Sequence, residues 1–78
     1  MEKIIEIKPL EDYKLWIKFS DNKVALINVL PFINDGISKD LLDKKYFDKV
    51  SIDEFGGATW ENGFDFCPNF LREIATKQ

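Results

Sequence analysis

Residues 60–71, Trp-Glu-Asn-Gly-Phe-Asp-Phe-Cys-Pro-Asn-Phe-Leu, constrain the fold most tightly, because they write a strand, a tight turn, a second strand and a helix start in succession. Asn62-Gly63 between alternating apolar residues is hairpin chemistry. A two-residue turn would set Trp60 opposite Asp65, on the face away from Phe64 and Phe66. A three-residue turn puts Glu61 and Asn62 in a type I turn and Gly63 in the left-handed bulge position, pairing Trp60 with Phe64, Ala58 with Phe66 and Thr59 with Asp65. The apolar pattern selects the second register, since only it gathers Ala58, Trp60, Phe64 and Phe66 on one face. After Cys67, Pro68 suits the first position of a helix, with Phe70, Leu71, Ile74 and Ala75 on one side and Asn69, Arg72 and Glu73 on the other.

Upstream, Ile5 and Ile7 alternate with Glu6 and Lys8, a strand expected to stop at Pro9. Tyr13, Leu15, Ile17 and Phe19 alternate with Lys14, Trp16 and Lys18, the pattern of a half-buried strand. Residues 20–23 are turn chemistry, with Asn22 best suited to a left-handed conformation, and Val24 to Val29 is the returning strand. Pro31 opens a helical turn over Phe32 and Ile33 that Asp35-Gly36 ends. Ser38 is read as the cap of a short helix with Leu41 and Leu42 facing inward, and Asp43 as a second cap before Tyr46 and Phe47. Val50, Ile52 and Glu54 begin a further strand, Gly56-Gly57 breaks it, and Ala58 to Trp60 resume extended structure. The predicted class is α+β: one small two-layer domain over residues 1–78, mainly antiparallel sheet, with short central helical turns and a C-terminal helix.

Composition narrows the chemistry. The 45% hydrophobic content excludes disorder, because that much apolar area offsets the ordering cost. A chain of 78 residues is near the size where one core barely outweighs chain entropy, so a partner is a natural stabiliser. The absence of histidine removes the commonest general base and zinc ligand together. Cys67, the single cysteine, cannot form an internal disulfide, and with no signal peptide or membrane-spanning run the expected compartment is the cytoplasm. A net charge of −3 with only one arginine, Arg72, argues against binding a phosphate backbone.

Asp65 reads as catalytic or metal-binding in the sharp sense, and in the bland sense as a partner for Thr59 or for the free N–H groups that open the last helix. The bland reading is preferred. Cys67 stands near a helix start, where a thiol can be activated, but it lacks a histidine base, so a capping or half-buried role is expected. Asp53, Glu54, Glu61 and Asp65 follow no known cation-loop spacing and read as a solvated face. Asn62, Gly63 and Trp60 are accounted for by turn geometry and core packing. Trp16 points away from Leu15, Ile17 and Phe19, with Ile4 and either Ile27 or Leu26 as expected neighbours. Two readings of it stand level: a partner-binding anchor, or a residue covered by a helix or loop.

Trp60, Asn62, Gly63, Asp65, Pro68 and Leu71 resemble the Trp-x-Asn-Gly-x-Asp-x-x-Pro-x-x-Leu signature of a small bacterial family, domain of unknown function 2442. The resemblance extends through Pro9, the Leu15-x-Ile17-x-Phe19 strand, Leu41 and Phe47. Asn22-Lys23 replaces the Asp-Gly turn of many members and Glu61 replaces a proline; both fit the same turn types. The resemblance implies a two-layer α+β domain without an established activity, a pairing with a neighbour-encoded small protein in a toxin-antitoxin-like module, and in some members a C-terminal helix-turn-helix. With few residues after Leu71, a role on DNA would here require a partner protein.

The function read from these features is a non-enzymatic interaction module that needs no cofactor or metal. It binds itself or a small neighbour-encoded protein through the second sheet face, at Lys14, Trp16 and Lys18, or through an edge strand. The alternatives are a metal-dependent hydrolase centred on Asp65 with Asp53 or Glu54, and a single-strand nucleic-acid binder using Lys14, Trp16 and Lys18.

Overall fold

The strongest alternation in the chain becomes the central strand of a sheet. A computed structural model describes residues 2–33 and 36–78; the reading of Asp35 lies outside them. Strands β1 (Ile4–Leu10), β2 (Lys14–Phe19) and β3 (Val24–Asn28) form an antiparallel sheet in chain order. Leu15, Ile17 and Phe19 of β2 are fully buried, while Lys14, Trp16 and Lys18 lie half-buried on the other face. The β2–β3 turn places Asn22 at φ 71°, as its side chain tolerates.

Three upstream expectations need correction. Strand β1 runs through Pro9 to Leu10, because β1 is an edge strand and proline's missing N–H interrupts no ladder there. Ile4, paired with Phe19, takes the inward position, and an irregularity between Ile4 and Glu6 turns Ile5 out to solvent. Ile4 therefore belongs to the core and is not beside Trp16. Tyr13 precedes the strand, in a turn where Asp12 and Tyr13 have φ 60° and 58°. A bulky left-handed residue is costly. Here its hydroxyl donates to the Leu42 carbonyl, its ring meets Phe47 edge-on at 5.5 Å, and its carbonyl accepts from Val29 N–H at 3.0 Å.

The middle of the chain is short helical turns. Pro31 sits in the first turn of a 3-10 helix at Leu30–Phe32. A second 3-10 helix spans Gly36–Leu42, with Ser38 buried inside it and not at a cap. Leu41 is fully buried but Leu42 is exposed, because a three-residue turn points adjacent side chains about a third of a revolution apart. Helix α1 (Lys44–Phe47) follows, with Asp43 as its cap accepting from Lys45 N–H at 3.1 Å.

Strands β4 (Ser51–Ile52), β5 (Ala58–Thr59) and β6 (Asp65–Phe66) make a second antiparallel sheet. Ala58 pairs with Phe66 and Thr59 with Asp65; Trp60 N–H donates to Phe64 O and Gly63 N–H to Trp60 O, both at 3.0 Å. With Gly63 at φ 93°, this is the three-residue register. The β4–β5 loop is built by Asp53, whose Oδ1 accepts from Phe55 N–H at 2.8 Å and Gly57 N–H at 2.9 Å. A Cβ on Gly57 would lie 2.6 Å from Phe66 O, which is why the chain has glycine there.

Helix α2 (Pro68–Lys77) lies against β3, burying Leu71 and Ile74. The core joins the inner face of the first sheet to Leu41, Phe47, Ala58, Trp60 and Phe66. Trp60 is its aromatic centre, with Phe47 and Phe66 both at 5.9 Å and Phe64 at 6.0 Å. Arg72 ties the helix to the β2–β3 turn by a fork to Asp21 at 2.9 and 3.1 Å and lies 4.9 Å above the Phe19 ring. That hydrogen-bonded guanidinium holds the Asp21 carboxyl below its usual range.

Candidate functional site

The outer face of the first sheet is set by strand register alone. Trp16 stands opposite Lys8 on β1 and Leu26 on β3; Lys14 opposes Leu10 and Asn28; Lys18 opposes Glu6 and Val24. Period-two geometry makes these nine residues one surface, with Trp16 in the middle. The Lys8 ammonium lies 5.2 Å from the Trp16 ring centroid, a cation–π contact that helps fix the indole. The aliphatic neighbours remain open: Leu10 is 39% exposed, Val24 54% and Leu26 55%. Trp16 itself is half-buried among its cross-strand neighbours. Of the two neighbours expected on β3 it is Leu26 that adjoins it, while Ile27 is in the core. Among the described residues, the four ion pairs leave Lys8, Lys14 and Lys18 without an anionic partner.

The 60–71 residues lie elsewhere, in the second sheet and α2. Trp60 is buried, and its indole N–H donates to Phe47 O at 3.0 Å. Asn62 does more than shape its turn. Its amide nitrogen donates to Ile37 O at 2.7 Å and to an Asp40 carboxylate oxygen at 3.0 Å, and its amide oxygen accepts from Phe64 N–H at 2.9 Å. Its backbone N–H donates to the Tyr46 hydroxyl at 2.7 Å. The turn is thereby pinned to the 3-10 helix and α1. Sequence reasoning missed these partners because Ile37, Asp40 and Tyr46 lie 16 to 25 positions away. Pro68 and Leu71 are buried in the first turns of α2, as the helical pattern requires.

Asp65 is exposed. Among the described residues its carboxylate accepts neither of the hydrogen bonds expected of it: the Thr59 hydroxyl donates to the Phe64 carbonyl at 3.2 Å, and the last helix starts without a side-chain cap. The solvated-face reading holds for Glu54 and Glu61, which are exposed, but not for Asp53, which is half-buried and committed to the β4–β5 loop. Among the described residues no three acidic or thiol groups converge on one point. Cys67 occupies the cap position of α2, exposed and making no capping hydrogen bond, so the half-buried or capping role does not hold. No helix among the described residues is long and apolar enough to cross a membrane.

Neither the curated proteins nor the solved structures contain a match to the chain. The family model described as "Protein of unknown function (DUF2442)" matches residues 4–77, from the first strand to the last turn of α2, and the chain belongs to that family.

Proposed function

We propose that the protein is a non-enzymatic interaction module that binds another protein through the outer face of the β1–β2–β3 sheet. The partner is a second copy or a small neighbour-encoded protein, and in the second case the module acts like an antitoxin in the cytoplasm, by occlusion. One observation carries this reading: Trp16 is held at the centre of an open sheet face by Lys8, with Leu10, Val24 and Leu26 exposed on both flanking strands. A pre-positioned tryptophan among exposed aliphatics is the composition of an interface hot spot. The engagement of Asp53 in its own loop supports this over the hydrolase reading, since it leaves Asp65 without that partner.

Trp16→Ala separates an anchor from a packing residue. Association, measured by sedimentation and by capture of the host partner, is expected to weaken by roughly 2 kcal/mol, the loss typical of a hot spot. Stability in chemical denaturation should change by less than about 1 kcal/mol, because the side chain lies outside the core. Large destabilisation with association intact would refute the reading.

A further inference from the structure

We infer that the occupant of the outer face is an acidic segment of a different protein, one that lays apolar side chains on Trp16 and Leu26 and carboxylates against Lys8, Lys14 and Lys18. This rests on the interaction-module reading and names the partner's chemistry. The face carries three lysines against one carboxylate, Glu6, on a chain whose net charge is −3. Positive charge is therefore concentrated where the apolar side chains are open, and the rest of the chain is correspondingly acidic.

A second copy fits poorly. A two-fold contact sets the same patch on itself, bringing the lysine cluster against its own image with only Glu6 to neutralise it. A nucleic-acid strand fits poorly for another reason. It would leave Leu10, Val24 and Leu26 facing phosphates, and the net negative chain repels a polyanion at longer range. An acidic, apolar-bearing segment satisfies both halves of the face. Its carboxylates meet lysines that have no anionic partner among the described residues, and its aliphatic side chains cover Val24 and Leu26.

The test is an NMR titration of the isotope-labelled full chain with three probes: a short synthetic peptide alternating leucine with glutamate, the same peptide with lysine in place of glutamate, and a short thymidine single strand. The acidic peptide is expected to shift the amides of Lys8, Trp16 and Leu26 saturably, with affinity falling about tenfold between low and physiological salt as screening sets in. The Lys8→Glu, Lys14→Glu, Lys18→Glu triple variant, confirmed folded by its own spectrum, is expected to reverse the preference towards the lysine peptide. Failure of the acidic peptide to bind, equal binding of both peptides, or binding of the thymidine strand in their place would overturn the inference. Self-association of the wild-type chain that Trp16→Ala abolishes would also overturn it, while leaving the interaction-module reading intact.

Discussion

Trp60→Ala should cost about 3–5 kcal/mol, the range for truncating a buried large aromatic. A domain of this length has a total stability of roughly 4–12 kcal/mol, so the variant should be largely unfolded at modest urea. Two losses combine. The indole leaves a cavity among Phe47, Phe64 and Phe66, and the Phe47 carbonyl loses the buried donor 3.0 Å away. Trp60→Phe keeps a ring in the cluster, removes the donor and leaves only a small cavity; about 1–3 kcal/mol is expected. Urea denaturation followed by circular dichroism measures both, and a loss under about 1 kcal/mol for Trp60→Ala would show that Trp60 is not the centre of the core.

Asn62→Asp is nearly isosteric and should still cost about 2–3 kcal/mol at neutral pH. The new carboxylate cannot donate to Ile37 O, and it faces the Asp40 carboxylate across the 3.0 Å that now holds a hydrogen bond. The sign of the pH dependence follows. Protonation relieves the repulsion and restores a donor, so the deficit relative to wild type should shrink as pH falls through the carboxylate range near about 4. Asn62→Ala loses the same two donations and also the acceptor for Phe64 N–H, but adds no charge, so its deficit should be flat across that range. A pH-independent deficit for Asn62→Asp, read from paired denaturation curves, would mean that the contact to Asp40 contributes nothing.

What was legible in the chain was what local geometry dictates. The alternation of Leu15, Ile17 and Phe19 fixed both faces of the central strand, because period two admits one assignment when one face is buried. The Asn62-Gly63 turn and its register followed from the same logic. Expectations failed where a residue's role is set by distant partners. Tyr13 continues the alternation of β2, yet a left-handed turn directs it to Leu42 and Phe47. Pro9 reads as a stop unless the strand is known to lie at an edge. Asp53 and Asp65 both read as part of a solvated acidic face, and Asp65 also as a hydrogen-bond partner, yet Asp65 is exposed and it is Asp53 that builds a loop. Of the candidate surface, Lys14, Trp16 and Lys18 were readable from β2 alone, whereas Lys8, Leu10, Val24 and Leu26 required the pairing of three strands.

The two most exposed large apolar side chains among the described residues are Phe55 at the tip of the β4–β5 loop, 70% exposed, and Leu26 beside Trp16, 55% exposed. A photoactivatable residue placed at position 26 or at position 55 of the full chain, and illuminated in the native host, compares them directly. The outer face is predicted to give a discrete covalent adduct with one protein from position 26, lost when Trp16→Ala is added, and none from position 55. A protein adduct from position 55 with none from position 26, or a nucleic-acid adduct from position 26, would contradict the assignment of this face to protein binding.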